Sequence, residues 1–257
     1  MIIKIIHKFY MILRIIYNKQ FFYKVSKSQN QNLENIFLEK LSDFVDHKRF
    51  VEIGFHHNEF NCINLIKKNF EGLMIDGGRH INILMMKIII FILNKKIEVK
   101  KKYLKLNNLI SEINQNNIGV LSIDVDGNDY WFLKKIVENK ILPEVIIIEY
   151  NASFLDRSIS VVYDENFDRK KKHQSGFYHG ASLSAFYKLL KKYHYHLVKS
   201  VGGANAIFVN EKVKNLSKLE SHKPESIYEE CEFRNHWSNT TAQDQYNQIK
   251  HLELIDV

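Results

Sequence analysis

The chain has 257 residues, 45% of them hydrophobic, enough for one large α/β domain with a well-buried core. Its formal charge of +8 suits an acidic partner, but Lys100–Lys102 and Lys170–Lys172 are short runs without interleaved aromatics, which argues against a nucleic-acid groove. The two cysteines, Cys62 and Cys231, form no CxxC pattern, so neither a zinc site nor a disulfide framework is indicated, and a reducing cytoplasm is the expected setting.

The N-terminal stretch "MIIKIIHKFYMILRIIYNKQFF" is apolar but broken by Lys4, His7, Lys8, Arg14 and Asn18. No uninterrupted apolar run reaches the roughly 18 residues of a spanning helix. No small-residue cleavage site follows, as a signal peptide would need. The pattern is that of an amphipathic helix with a narrow basic face. Such a helix lies in a membrane interface, here the inner face, or packs on its own domain or on a dimer mate. The sequence leaves these open.

Residues 25–34 read as a polar linker, and a helix is expected over 32–45. Strands are expected at 49–54, 72–76, 96–104, 118–124 and 143–151, with helices at 58–70, 80–94, 107–117 and 128–140 between them. Short apolar strands alternating with helices imply parallel pairing with helices on both faces. After a helix at 181–193, strands at 194–200 and 205–210 are separated too briefly for a crossover, so they should be antiparallel. This divides the chain into an N-terminal helix and linker (1–34), one domain (35–210) and a polar C-terminal tail (211–257).

In open α/β sheets, ligands bind beyond the carboxyl ends of the strands. The residues expected there are Glu52 and Gly54, Asp76, then Asp124, Asp126, Asn128 and Asp129 in "SIDVDGNDYW", and Glu149, Tyr150 and Asn151 in "IEYN". Acids gathered on one rim are costly unless cations, protons or hydrogen-bond donors offset them. S-adenosylmethionine would do so, with a ribose diol, an amino group and a sulfonium. A dinucleotide turn is disfavoured, because "EIGFHHNEF" has one glycine where three are needed. An EF-hand starting at Asp124 would need Gly at 129 and Glu at 135, where the chain has Asp129 and Lys135. Magnesium or another divalent cation held by Asp124, Asp126 and Glu149 stays open.

"RFVEIG", "GLMIDGG", "VLSIDVDGNDYWFLKKI", "EVIIIEYN", "YHGASLSAF" and "VGGANAIFV", in that order over residues 27–210, resemble the FkbM-type S-adenosylmethionine-dependent methyltransferases. The resemblance implies a Rossmann-like seven-stranded α/β sheet, mostly parallel with an antiparallel last strand. It also implies O-methylation of a small-molecule or glycan acceptor. Carried over, Glu52 and Gly54 match the first cofactor motif and Asp76 the ribose-binding acid. Asp124 and Asp126 match the fourth-strand acids, and Glu149 the acid ending strand five. The chain departs at "GFHHN", where His57 and Asn58 stand in place of an acid and a glycine near the methionine moiety.

Methyl transfer to oxygen needs alignment and a proton acceptor. Asp126 is the first candidate base, directly or through a metal, with Asp124 beside it and His179 of "YHGASL" the second. Cofactor contacts fall to Glu52, Gly54, His57, Asp76 and Asp124. Asn128, Tyr150 and Asn151 are candidates for the acceptor pocket. Asn128 and Asp129 also suit the start of the following helix. The charged, aperiodic segment 163–178 reads as a substrate lid. The altered loop supports a competing reading, an inactive methyltransferase-like module that binds a membrane or a protein.

Overall fold

The apolar runs become one sheet in the computed structural model, which describes residues 2–19, 21–22 and 40–257. The linker expected at 25–34, and most of the helix expected over 32–45, lie outside these residues. An N-terminal helix, α1 (Ile2–Tyr17), precedes strand β1 (Arg49–Ile53) and helix α2 (Ile63–Lys67). There follow β2 (Glu71–Asp76), α3 (His80–Leu93), β3 (Ile97–Lys101), α4 (Leu109–Ile113), β4 (Val120–Ile123), α5 (Asp129–Glu138) and β5 (Val145–Glu149). A short strand β6 (Ile159–Val161) and helix α6 (Arg169–Lys172) lead to α7 (Leu183–Lys191) and the hairpin β7 (Tyr195–Val201) and β8 (Asn205–Asn210). The chain finishes with α8 (Pro224–Ile227), α9 (Glu232–Ser238), α10 (Ala242–Ile249) and β9 (Leu254–Asp256).

The seven-stranded sheet runs β3-β2-β1-β4-β5-β8-β7. Strands β1 to β5 pair in parallel, and β8 is antiparallel to both β5 and β7. This is the mostly parallel, Rossmann-like α/β sheet that the sequence pattern implies. Period-two alternation sends Phe50, Met74, Val120 and Ile147 to one face, under α1, α2 and α3. Val51, Leu73, Leu121 and Ile148 face the other side, under α4, α5 and α7. Strand order reverses between β1 and β4, because the chain goes outward to β2 and β3 before returning to β4. That reversal opens a crevice at the carboxyl edge.

The helix expected over 58–70 shrinks to α2, because buried Glu52 accepts hydrogen bonds from the backbone of Asn61 (2.6 Å) and Cys62 (3.1 Å). Those bonds hold residues 54–62 as a loop, tied further by reciprocal backbone bonds between His56 and Glu59. Residues 224–256, polar in sequence, are built into the fold: β9 pairs with β6, and α10 packs Ile249 into a third apolar cluster with Phe154 and Phe177.

Candidate functional site

A cavity of about 400 Å³ lies at the switch point, lined in part by Gly54, His56, Asn61, Asp76, Asp124 and Asp126. Its apolar walls include Phe55, Tyr103, Leu104 and Phe132. Gly54 makes this approach of backbones possible. Its φ is +81°, and a Cβ there would stand 1.7 Å from the carbonyl oxygen of Asp124. β1 and β4 therefore meet at the cavity floor only because residue 54 has no side chain.

The acids divide by surroundings. Asp76 ends β2 half-buried and accepts from the Gly78 backbone at 2.6 Å. Burial raises its proton affinity, opposed by the backbone N–H groups of Gly78 and Phe55. Asp124 is pushed well above the usual carboxylate range, first by burial and then by Glu149, Asp126, Asp129 and Glu52. Glu149, buried, is raised to about 8 by burial and by Asp126 and Asp129, against the pull of Arg169 and Arg234. One of its oxygens, Oε2, has no hydrogen-bond partner among the described residues. One carboxylate oxygen each from Asp124, Asp126 and Glu149 lies within 4.8 Å of the others. Asp126 ion-pairs with Arg169 of α6, which already brings a positive charge to that cluster.

Asp129 braces the loop rather than facing the cavity. Its two oxygens accept from the backbone of Val125 and Gly127, both at 2.9 Å. Burial holds it at about 6. Asn128 lines the cavity but makes no cap bond to α5. Its amide grips the backbone of Asp164 instead, donating to the carbonyl at 2.8 Å and accepting from the N–H at 3.3 Å. This pins segment 163–178 over the site. Gly127 leaves room for the ring of Phe167, which a Cβ would meet at 2.1 Å, and Phe167 closes one wall of the cavity. Lys105–Glu165 and Lys172–Asp164 ion pairs, at 2.8 and 2.7 Å, fasten the same segment.

Four residues expected at the site face elsewhere. The His57 ring is buried, and its Nδ1 meets Asn82 at 3.2 Å; its neighbour His56 reaches the cavity instead. Tyr150 follows Glu149 on the opposite face of the chain, and its hydroxyl meets Ser200 (2.9 Å) and the Glu229 carbonyl (3.1 Å). The buried Asn151 side chain donates to the carbonyls of Phe177 and His179 and accepts from Arg234 at 2.8 Å. His179 is buried, and its Nδ1–H donates to Phe177 while Nε2 accepts from Arg234 at 3.3 Å. Burial, Arg169 and Arg234 push its proton affinity well below the usual histidine range. A buried imidazole whose free nitrogen is taken by a guanidinium is a poor proton acceptor. The His179 Nε2 lies 3.9 Å from Glu149 Oε1.

Asn61, Arg169, Phe167 and Arg234 contribute to the site without a signal in the sequence. Arg169 and Phe167 lie in the lid segment but carry no motif. Arg234 comes from the polar C-terminal stretch, where nothing in its neighbours signals that α9 turns it inward.

Three features test whether S-adenosylmethionine fits the cavity. Asp76 offers a carboxylate at the second-strand end, the position suited to a diol. The Oδ1 of buried Asn61, on the wall, has no hydrogen-bond partner among the described residues and suits a donor such as an ammonium. The acids beside Asp124, which add to the effect of burial on its proton affinity, make added positive charge favourable there. The donor set fits.

No protein-family model matches this chain, and no curated protein matches it at a significant level. Solved structures with a similar fold include the O-methyltransferase from Bacillus cereus in complex with SAH, 15% identical, covering 79% of this chain and 91% of that one at a TM-score of 0.47. An S-adenosylmethionine-dependent methyltransferase from Clostridium acetobutylicum is 12% identical, covering 69% and 90%, at 0.46. TrmK of M. capricolum with S-adenosyl-homocysteine is 10% identical, covering 81% and 82%, at 0.43. Each likeness is one of overall topology.

Proposed function

We propose that this chain is an S-adenosylmethionine-dependent methyltransferase that methylates a hydroxyl of a sugar or glycan precursor. The observation that supports this reading best is the switch-point cavity, lined together by Asp76, Asn61 and the acids that follow β4, with Asn61 Oδ1 lacking a hydrogen-bond partner among the described residues. The choice of a sugar hydroxyl rests on the FkbM-like motifs.

When bound, S-adenosylmethionine supplies an electrophilic methyl group on a positively charged sulfur. Asp76 accepts hydrogen bonds from a vicinal diol, and Asn61 accepts from an ammonium. Gly54 lets backbone come close beneath them. Asp124 serves two ends. As a carboxylate it favours positive charge, and its raised proton affinity suits it to take the proton from an acceptor hydroxyl. Asp126 is engaged by Arg169, so its part is to hold the lid. Phe167 and the pinned segment cover one side of the site.

Calorimetric titration with S-adenosylhomocysteine tests the reading. Binding is expected, and Asp76→Asn should weaken it about 10- to 100-fold, the worth of hydrogen bonds to a charged group, without lowering the melting temperature. No heat and no thermal shift at millimolar ligand would favour the inactive-module reading that the "GFHHN" loop raises.

A further inference from the structure

We propose that the outer face of α1 and α3 docks peripherally on an anionic lipid bilayer, independently of the methyl-transfer reading. The two helices lie against each other, and Met11 and Ile15 of α1 are buried in the cluster that includes Ile83 and Met86 of α3. Their outer sides remain apolar. Leu13, Ile16 and Leu84 are about half exposed, Phe91 is 86% exposed and Tyr17 95%. Apolar side chains gathered on adjoining helix faces mark an interaction surface more often than chance exposure.

Charge identifies the occupant. Neither helix contains an acidic residue. Arg14 and Lys87 are exposed on these helices and Lys19 just beyond α1, and the Arg14 guanidinium lies over the rings of Tyr10 and Phe21 at 5.6 and 4.5 Å. An apolar strip on two helices whose only charged residues are cations, with tyrosines among it, complements negatively charged headgroups over an acyl layer. A second copy of the chain is a poorer fit. A two-fold contact through this face would bring like charges together. No helix among the described residues is long and apolar enough to cross a membrane, so the contact is on the surface.

Flotation of the full chain with vesicles tests this, using phosphatidylcholine alone and phosphatidylcholine with about 30% phosphatidylglycerol. The chain is expected to float with the anionic vesicles, to be released by high salt, and to stay behind with the neutral ones. Phe91→Asp and the charge-reversal pair Arg14→Glu/Lys87→Glu should each weaken flotation about tenfold or more, with far-ultraviolet circular dichroism unchanged. No flotation with anionic vesicles, or flotation that both variants leave intact, would overturn the proposal. A dimer in solution that Phe91→Asp dissolves would overturn it too, because a second copy would then cover the face.

Discussion

Glu52→Gln should change how stability depends on pH, because two opposing effects meet at that carboxyl. In the folded chain Glu52 holds its proton to about pH 7, whereas an unfolded glutamate releases it near 4.5. Burial is the main cause, opposed by the N–H groups of Asn61 and Cys62. Between those pH values the folded state binds more protons than the unfolded one, so stability falls as pH rises. The full loss, present above the folded value, amounts to about 3 kcal/mol. A glutamine has no such slope. The N–H groups of Asn61 and Cys62 bond to different carboxylate oxygens, and the amide nitrogen that replaces one of those oxygens cannot accept, so one N–H is left unpaired at every pH, costing about 1–3 kcal/mol. The variant should therefore be less stable than the parent by about 1–3 kcal/mol at pH 5 and equal or more stable at pH 8. Urea unfolding of both proteins at the two pH values measures this; the acids that do not feel Glu52 cancel in the difference, while Asp124, which does, adds a smaller change of its own. A gap between the two proteins that does not change with pH would refute the reasoning.

Asp124 should make the preference for S-adenosylmethionine over S-adenosylhomocysteine grow with pH. Only the ionised carboxylate rewards the extra positive charge, and burial with its acidic neighbours holds that ionisation above the usual range. Competition calorimetry between about pH 6 and 9 measures the ratio, and Asp124→Asn should flatten it. Gly54→Ala forces a Cβ to within 1.7 Å of the Asp124 carbonyl oxygen, so β1 and β4 must part at the cavity floor. Loss of S-adenosylhomocysteine binding and a destabilisation of about 1–3 kcal/mol are expected; unchanged affinity would show that the cavity floor does not depend on that contact.

The sheet was legible because buried strands announce themselves as short β-branched runs such as "EVIIIEY", and because "VGGA" is too short for a crossover. The acids at strand ends were legible for the same reason: a strand end fixes where the next polar side chain stands. Orientation was harder to read. Period-two alternation puts Tyr150 on the face opposite Glu149, a consequence of strand geometry that the "IEYN" motif conceals. Asn128 looked like a helix cap by position, yet the lid backbone at Asp164 competes for its amide and wins. Long-range partners left no local trace. Arg234 reaches Asn151 and His179 from α9, and only the packing of residues 224–256 brings it there.

The most direct test of the central claim is a crystal soaked with S-adenosylhomocysteine. The account predicts the ribose hydroxyls within hydrogen-bond reach of Asp76, the ligand's ammonium near Asn61, and its sulfur facing Asp124. A ligand lying with its ribose away from Asp76, or a cavity that stays free of it at saturating concentration, would contradict that claim.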